Sequence, residues 1–87
     1  MGERTNEEWL SELSRKPPGN EAAIGELRAF VVARLRFVLK GGRKEREDLA
    51  EDIAQETVVK VLDSMSTFRG ESRFTTWVAR IAINLAY

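Results

Sequence analysis

Glu51, Asp52, Gln55 and Glu56 gather acids and an amide in one short stretch, and a set of different character follows over residues 68–84. On a helix, Asp52 and Glu56 would lie one turn apart with Gln55 beside them. Such a face suits a basic helical partner, through charge-steered encounter and directional hydrogen bonds. Phe68, Arg69, Gly70, Glu71, Ser72 and Arg73 form the second set, joined by Arg80 and Asn84 one turn apart further on. Single-stranded nucleic acid calls for such residues: arginines for phosphates, aromatics for unstacked bases, amides for base edges. Paired carboxylates can also do acid–base or metal chemistry. Here, however, they sit on one predicted helix in a chain with no histidine and no cysteine. An enzyme is therefore not expected, nor any metal or cofactor.

Plainer readings stand beside these. Acids in the first turn of a helix suit its macrodipole, which accounts for Asp52 and Glu56 without a partner. It does not account for Gln55. Phe74 and Trp77 have the spacing of core residues as much as of base-stacking ones, and residues 68–72 could be a simple helix connector with a capping serine.

Four predicted helices position these groups. Thr5 and Glu8 have the spacing of a capping box, and Trp9, Leu10 and Leu13 give a short apolar stripe that ends before Pro17-Pro18-Gly19. Trp9 is expected to pack on the main body. Asn20 is the expected N-cap of a second helix reaching about Lys40 and stopped by Gly41-Gly42. Its stripe is Ala23, Ile24, Leu27, Phe30, Val31, Arg34, Leu35 and Val38. Phe37 falls off that stripe and implies cover on a second side, and Gly25 hints at a close helix crossing. Residues 41–47 read as a flexible charged connector. Asp48, with Glu51 three residues on, reads as the capping box of a third helix whose stripe runs Leu49, Ala50, Ile53, Ala54, Thr57, Val58, Val61, Leu62 and Met65. Val59 falls on its outer face. Ser72 is the expected cap of the last helix, in which Phe74, Trp77, Val78, Ile81, Ala82 and Leu85 face inward. The pattern runs to Tyr87 without a stop signal, as in a cut through a longer chain.

At 87 residues the chain suffices for one small domain, and residues 1–87 are read as such. Residues 1–19 form a short helix with its Pro-Pro-Gly linker, and residues 20–87 the main helical body. The fold class is all-α, a compact bundle of about four helices. Fourteen basic and fourteen acidic residues cancel, which is unusual for a protein that holds duplex DNA unaided. The charge is nonetheless segregated, with a basic middle from Arg28 to Arg46 and an acidic block from Glu45 to Glu56. Two faces for two partners would have that pattern; so would ordinary solvated helix faces. No targeting signal and no membrane-length apolar run occurs, so no membrane role is expected and the location is expected to be cytoplasmic.

AEDIAQE, then FRGESRFTTWVARIAINLA, resembles the second conserved region of bacterial RNA polymerase sigma factors, most closely those of the extracytoplasmic-function (ECF) class. GNEAAIGEL upstream resembles the helix that usually precedes it. The resemblance implies docking of Glu51, Asp52, Gln55 and Glu56 on the coiled coil of the polymerase beta-prime subunit. It also implies that residues 68–73, with Arg80 and Asn84, meet the minus-ten promoter element as non-template single-stranded DNA and help to melt it. An anti-sigma factor is a further partner in such systems. Full-length members carry a C-terminal helix-turn-helix domain for the minus-thirty-five element, and nothing in these 87 residues can serve as one. Ala79 stands where relatives often place a larger side chain, so fewer DNA contacts are expected on that edge. A zero net charge fits a domain that meets DNA only after polymerase has gathered the promoter. The alternative is a helical protein-interaction module with no nucleic-acid role, which would show no preference for single-stranded promoter DNA.

Overall fold

The computed structural model describes residues 4–87, which build four α-helices: α1 (Asn6–Leu13), α2 (Glu21–Leu35), α3 (Arg43–Ser64) and α4 (Phe74–Ala86). A 3-10 turn at Met65–Thr67 closes α3 before the loop of residues 68–73. The expected all-α, four-helix bundle is what the chain forms. Its core joins Trp9 and Leu13 of α1, Leu27, Val31 and Leu35 of α2, Ala50, Ile53, Ala54 and Val61 of α3, and Phe74, Val78 and Ala82 of α4. Burying each large apolar side chain contributes about 1.5–3 kcal/mol. One hydroxyl sits fully buried among them, and Thr57 satisfies it by donating to the Ile53 carbonyl at 2.7 Å.

α1 begins as its sequence predicts. The Thr5 hydroxyl accepts from the Glu8 amide at 3.1 Å, and the Glu8 carboxylate accepts from the Thr5 amide at 2.9 Å. Trp9 is buried against the body as expected. Arg4 fastens the helix from outside, donating to Glu12 at 3.1 Å and to Glu26 of α2 at 2.6 Å, with its guanidinium 4.7 Å from the centre of the Trp9 ring.

These two carboxylates give the clamp a pH dependence. Glu12 and Glu26 are both held below the ordinary carboxylate value, chiefly by the hydrogen bond from Arg4. In the folded protein they stay charged where the unfolded chain would take up protons. The stabilisation is therefore whole above the ordinary carboxylate range and is lost as pH falls through the depressed values. Acidification should loosen α1 while the rest of the bundle remains helical, read as a red shift of Trp9 emission in a Trp77→Phe background. A Trp9 spectrum that changes only together with the helical signal would contradict this.

Several boundaries differ from expectation. α2 ends at Leu35, not near Lys40, because the chain tightens into short-range bonds there: Phe37 N–H to Arg34 carbonyl at 3.3 Å and Val38 N–H to Leu35 carbonyl at 3.0 Å. This turn brings Val38 and Leu39 back against the core and swings Phe37 out to 90% exposure, so Phe37 does not mark a second covered side. Asn20 occupies the N-cap position of α2 but makes no capping hydrogen bond with its side chain, its backbone being already helical at φ −96° and ψ −6°. Gly25 has open space where a Cβ would stand, so no close crossing requires it. Arg34 is exposed and is not part of the inward stripe.

α3 shows the largest difference. It starts at Arg43 after Gly42, so residues 43–47 are helix and not connector, and Asp48 and Glu51 are no capping box. Arg, Lys and Glu propagate a helix well, and Glu45 folds back over Gly41 and Gly42, where its charge suits the helix N-terminus. Gly41 takes φ +114°, a turn that other residues rarely make. Leu49 stays 46% exposed although it falls on the predicted stripe, and Val59 is 56% exposed on the outer face as predicted.

Candidate functional site

Two exposed regions carry the chemistry singled out in the sequence. Asp52, Gln55 and Glu56 are all exposed on α3 and stand apart from the buried positions Ile53, Ala54, Thr57 and Val58. They share their side of the helix with exposed Val59, so the face is acidic and amide-bearing with an apolar component. Glu51 differs. It accepts from Arg28 of α2 at 2.8 Å, a link between the two helices at half-exposed positions.

The second region begins about 12 Å further along the axis of α3 from Glu56, at a rise of 1.5 Å per residue to Ser64. The 3-10 turn stops the helix there, and the chain passes through residues 68–73 into α4. Gly70 has φ +76°, where a glycine is favoured because a Cβ would be strained. Phe68, Arg69, Glu71 and Ser72, with Trp77 and Arg80 of α4, line an open hollow of ≈ 210 Å³. Its floor is aromatic. Phe68 meets Phe74 edge-on with centroids 5.3 Å apart, and Trp77 lies 5.2 Å from Phe68 and 5.5 Å from Phe74. Phe74 is fully buried, whereas Phe68 and Trp77 are partly exposed, so Trp77 is at once a packing residue and a wall of the hollow.

The remaining site residues distribute unevenly. Arg80 and Asn84 are exposed one turn apart on α4, but Asn84 does not line the hollow. Arg73 lies on the other side of the α4 N-terminus, where with Arg4, Asn6, Trp9, Phe30 and Phe74 it borders a larger cavity of ≈ 430 Å³. Ala79 is buried, 5% exposed, and belongs to the core; it is no edge open to DNA. Ser72 does not cap α4. The N-cap position is Arg73, and the Ser72 hydroxyl donates to the Arg73 carbonyl at 3.1 Å.

The cap comes instead from α1, a residue that sequence reasoning missed. Asn6 Oδ1 accepts the Phe74 N–H at 2.7 Å, and Asn6 Nδ2 donates to the Ser72 carbonyl at 3.0 Å. Asn6 sits within an ordinary capping box and its partners are 66 and 68 residues away. No local pattern signals such a pairing.

A family model described as Sigma-70 region 2 matches residues 23–87. The RNA polymerase sigma-H factor of Pseudomonas aeruginosa is 51% identical over 37 residues, which are 42% of this chain and 19% of that protein. The ECF RNA polymerase sigma-E factor of Haemophilus influenzae is 51% identical over 35 residues, 40% of this chain and 18% of that protein. That of Escherichia coli K12 is 46% identical over 35 residues, with the same shares. The matched stretch thus spans less than a fifth of each of these relatives. No solved structure matches.

Proposed function

The chain belongs to the Sigma-70 region 2 family, and from that membership we propose that it is the part of an ECF-type sigma factor that docks on core RNA polymerase and reads the minus-ten promoter element. Sigma factors are non-catalytic subunits, and here two surfaces divide the work. Asp52, Gln55 and Glu56 of α3 face the coiled coil of the beta-prime subunit, where a basic helical partner would meet charge and hydrogen-bonding groups together. Glu51, already engaged by Arg28, contributes to this surface mainly by holding α3 against α2.

The hollow beneath residues 68–72 is the observation that carries the DNA half of the reading. An aromatic floor, two arginines (Arg69 and Arg80) and a loop turned by Gly70 are what an unstacked base and its phosphate would use. Extruding a base from duplex costs a few kcal/mol, which stacking in such a hollow and hydrogen bonds to the base edge would offset, helping to melt the element. Asn84, on the same helix as Arg80 but outside the hollow, would meet the strand at a neighbouring nucleotide. Arg73 would serve the backbone on the far side of the α4 N-terminus. Among the described residues no helix is long and apolar enough to cross a membrane, and the work proposed is that of the cytoplasm. An anti-sigma factor would compete for these same exposed surfaces.

A pull-down against core polymerase and, separately, its isolated beta-prime coiled coil tests the docking half. Capture by both is expected. Capture by neither would remove the sigma-factor reading, and capture by core alone would move the docking surface away from the coiled coil.

A further inference from the structure

We propose that α1, through Asn6, is the positioning element of the promoter-reading loop, so that base selectivity depends on a helix outside the residues that match the family; this rests on the reading of residues 68–72 given above. The loop is tied to α1 directly at its far end and, through Phe74, indirectly at its near end. At the far end, the Asn6 amide takes the Phe74 N–H on Oδ1 at 2.7 Å and gives Nδ2 to the Ser72 carbonyl at 3.0 Å, bracketing Arg73. The chemistry fixes the amide's orientation, since an N–H can face only the oxygen and a carbonyl only the nitrogen. Trp9 also stacks on Phe74 with centroids 5.9 Å apart and planes 21° from parallel, and Phe74 in turn meets Phe68 at the near end. Between these ends Arg69, Gly70 and Glu71 are exposed.

α1 is itself held firmly enough to serve. Arg4 joins Glu12 of α1 to Glu26 of α2 and lies over Trp9. The family match begins at residue 23, after α1 has ended at Leu13. The two hydrogen bonds of Asn6 also have separable purposes. The bond to Phe74 N–H satisfies one of the orphan donors at the start of α4 and serves the helix. The bond to the Ser72 carbonyl holds no helix; its consequence is where the loop sits.

Asn6→Asp separates the two. A carboxylate still accepts from Phe74 N–H and suits the helix N-terminus, but it cannot donate to Ser72 and sets oxygen against oxygen there. Helical content and polymerase affinity should stay as in the wild type. Amide exchange at residues 69–72 should quicken about fivefold, the effect of one net hydrogen bond. The ratio of affinities for two non-template oligonucleotides that differ only at the base facing the loop should narrow by a similar factor, measured on the complex with core polymerase. Should Asn6→Asp fold incompletely, Asn6→Ala is read in the same assay; it removes both bonds, so the ratio should narrow at least as much while polymerase affinity holds.

If Asn6→Asp leaves that ratio intact while Arg69→Ala or a loop replacement changes it, the role of α1 is overturned and the loop reading stands. If the wild type shows no base preference and the loop replacement alters nothing, the loop reading falls and this inference with it. A uniform loss of affinity for both oligonucleotides and for polymerase would make Asn6 merely structural, and would also overturn it.

Discussion

Replacing Asp52, Gln55 and Glu56 together by alanine is expected to abolish binding to the beta-prime coiled coil at concentrations that saturate the wild type. All three side chains are exposed and lie off the buried stripe of α3. Alanine also favours helix more than any of them, so the circular dichroism spectrum should hold. At an interface, removing one partner of a buried, hydrogen-bonded charged pair costs about 2–5 kcal/mol, which corresponds to a roughly 30- to 4,000-fold weaker complex. Glu51→Ala should behave differently. Its carboxylate is spent on Arg28 in a half-exposed pair, worth about 0–1 kcal/mol, and its loss should appear in stability more than in docking. Undiminished affinity in the triple variant would place the docking surface elsewhere.

The largest expected effect on stability is that of Phe74→Ala. Phe74 is fully buried and touches Trp9, Phe68 and Trp77, which makes it the joint between α1, the loop and α4. Truncating a buried phenylalanine costs about 3–5 kcal/mol, and small domains hold little more than that in total. The variant should lose most of its cooperative urea transition at 25 °C. A midpoint shift equivalent to less than about 1 kcal/mol would mean that the aromatic cluster is looser than its centroid distances indicate. Trp77→Ala, at a partly exposed position of the same cluster, should cost less stability and more DNA binding.

The joint at Phe74 also shows what could be read from the sequence and what could not. Periodicity found most of the apolar core, because burial of one face is written locally at every third and fourth residue. It missed buried Val32 and Ala79 and placed exposed Leu49 on the stripe. The capping box at Thr5 was legible because its partner, Glu8, stands only three residues on. The start of α3 was not: residues 43–47 contain no apolar residue, so a helix that runs out past the core looks like a charged loop. The cap of α4 was misassigned to Ser72 because a serine before an apolar helix is the usual local solution. Asn6 supplies the cap from another helix, and only the folded chain brings it there. Glu51 shows the opposite case. Its place among the acids is plain in the sequence, whereas its engagement by Arg28 depends on how α2 packs against α3.

The most direct measurement is equilibrium binding of a fluorescent single-stranded minus-ten oligonucleotide, of non-template sequence, to core RNA polymerase with and without the 87-residue chain. Capture should require both proteins, should discriminate between bases at the position facing the loop of residues 68–73, and should fall when Arg69 and Arg80 are replaced by alanine. The chain alone, with its net charge of zero, should hold neither this strand nor the duplex appreciably at physiological salt. Capture that is independent of the chain, or sequence-specific duplex binding by the chain without polymerase, would contradict a domain that reads single-stranded promoter DNA only when docked.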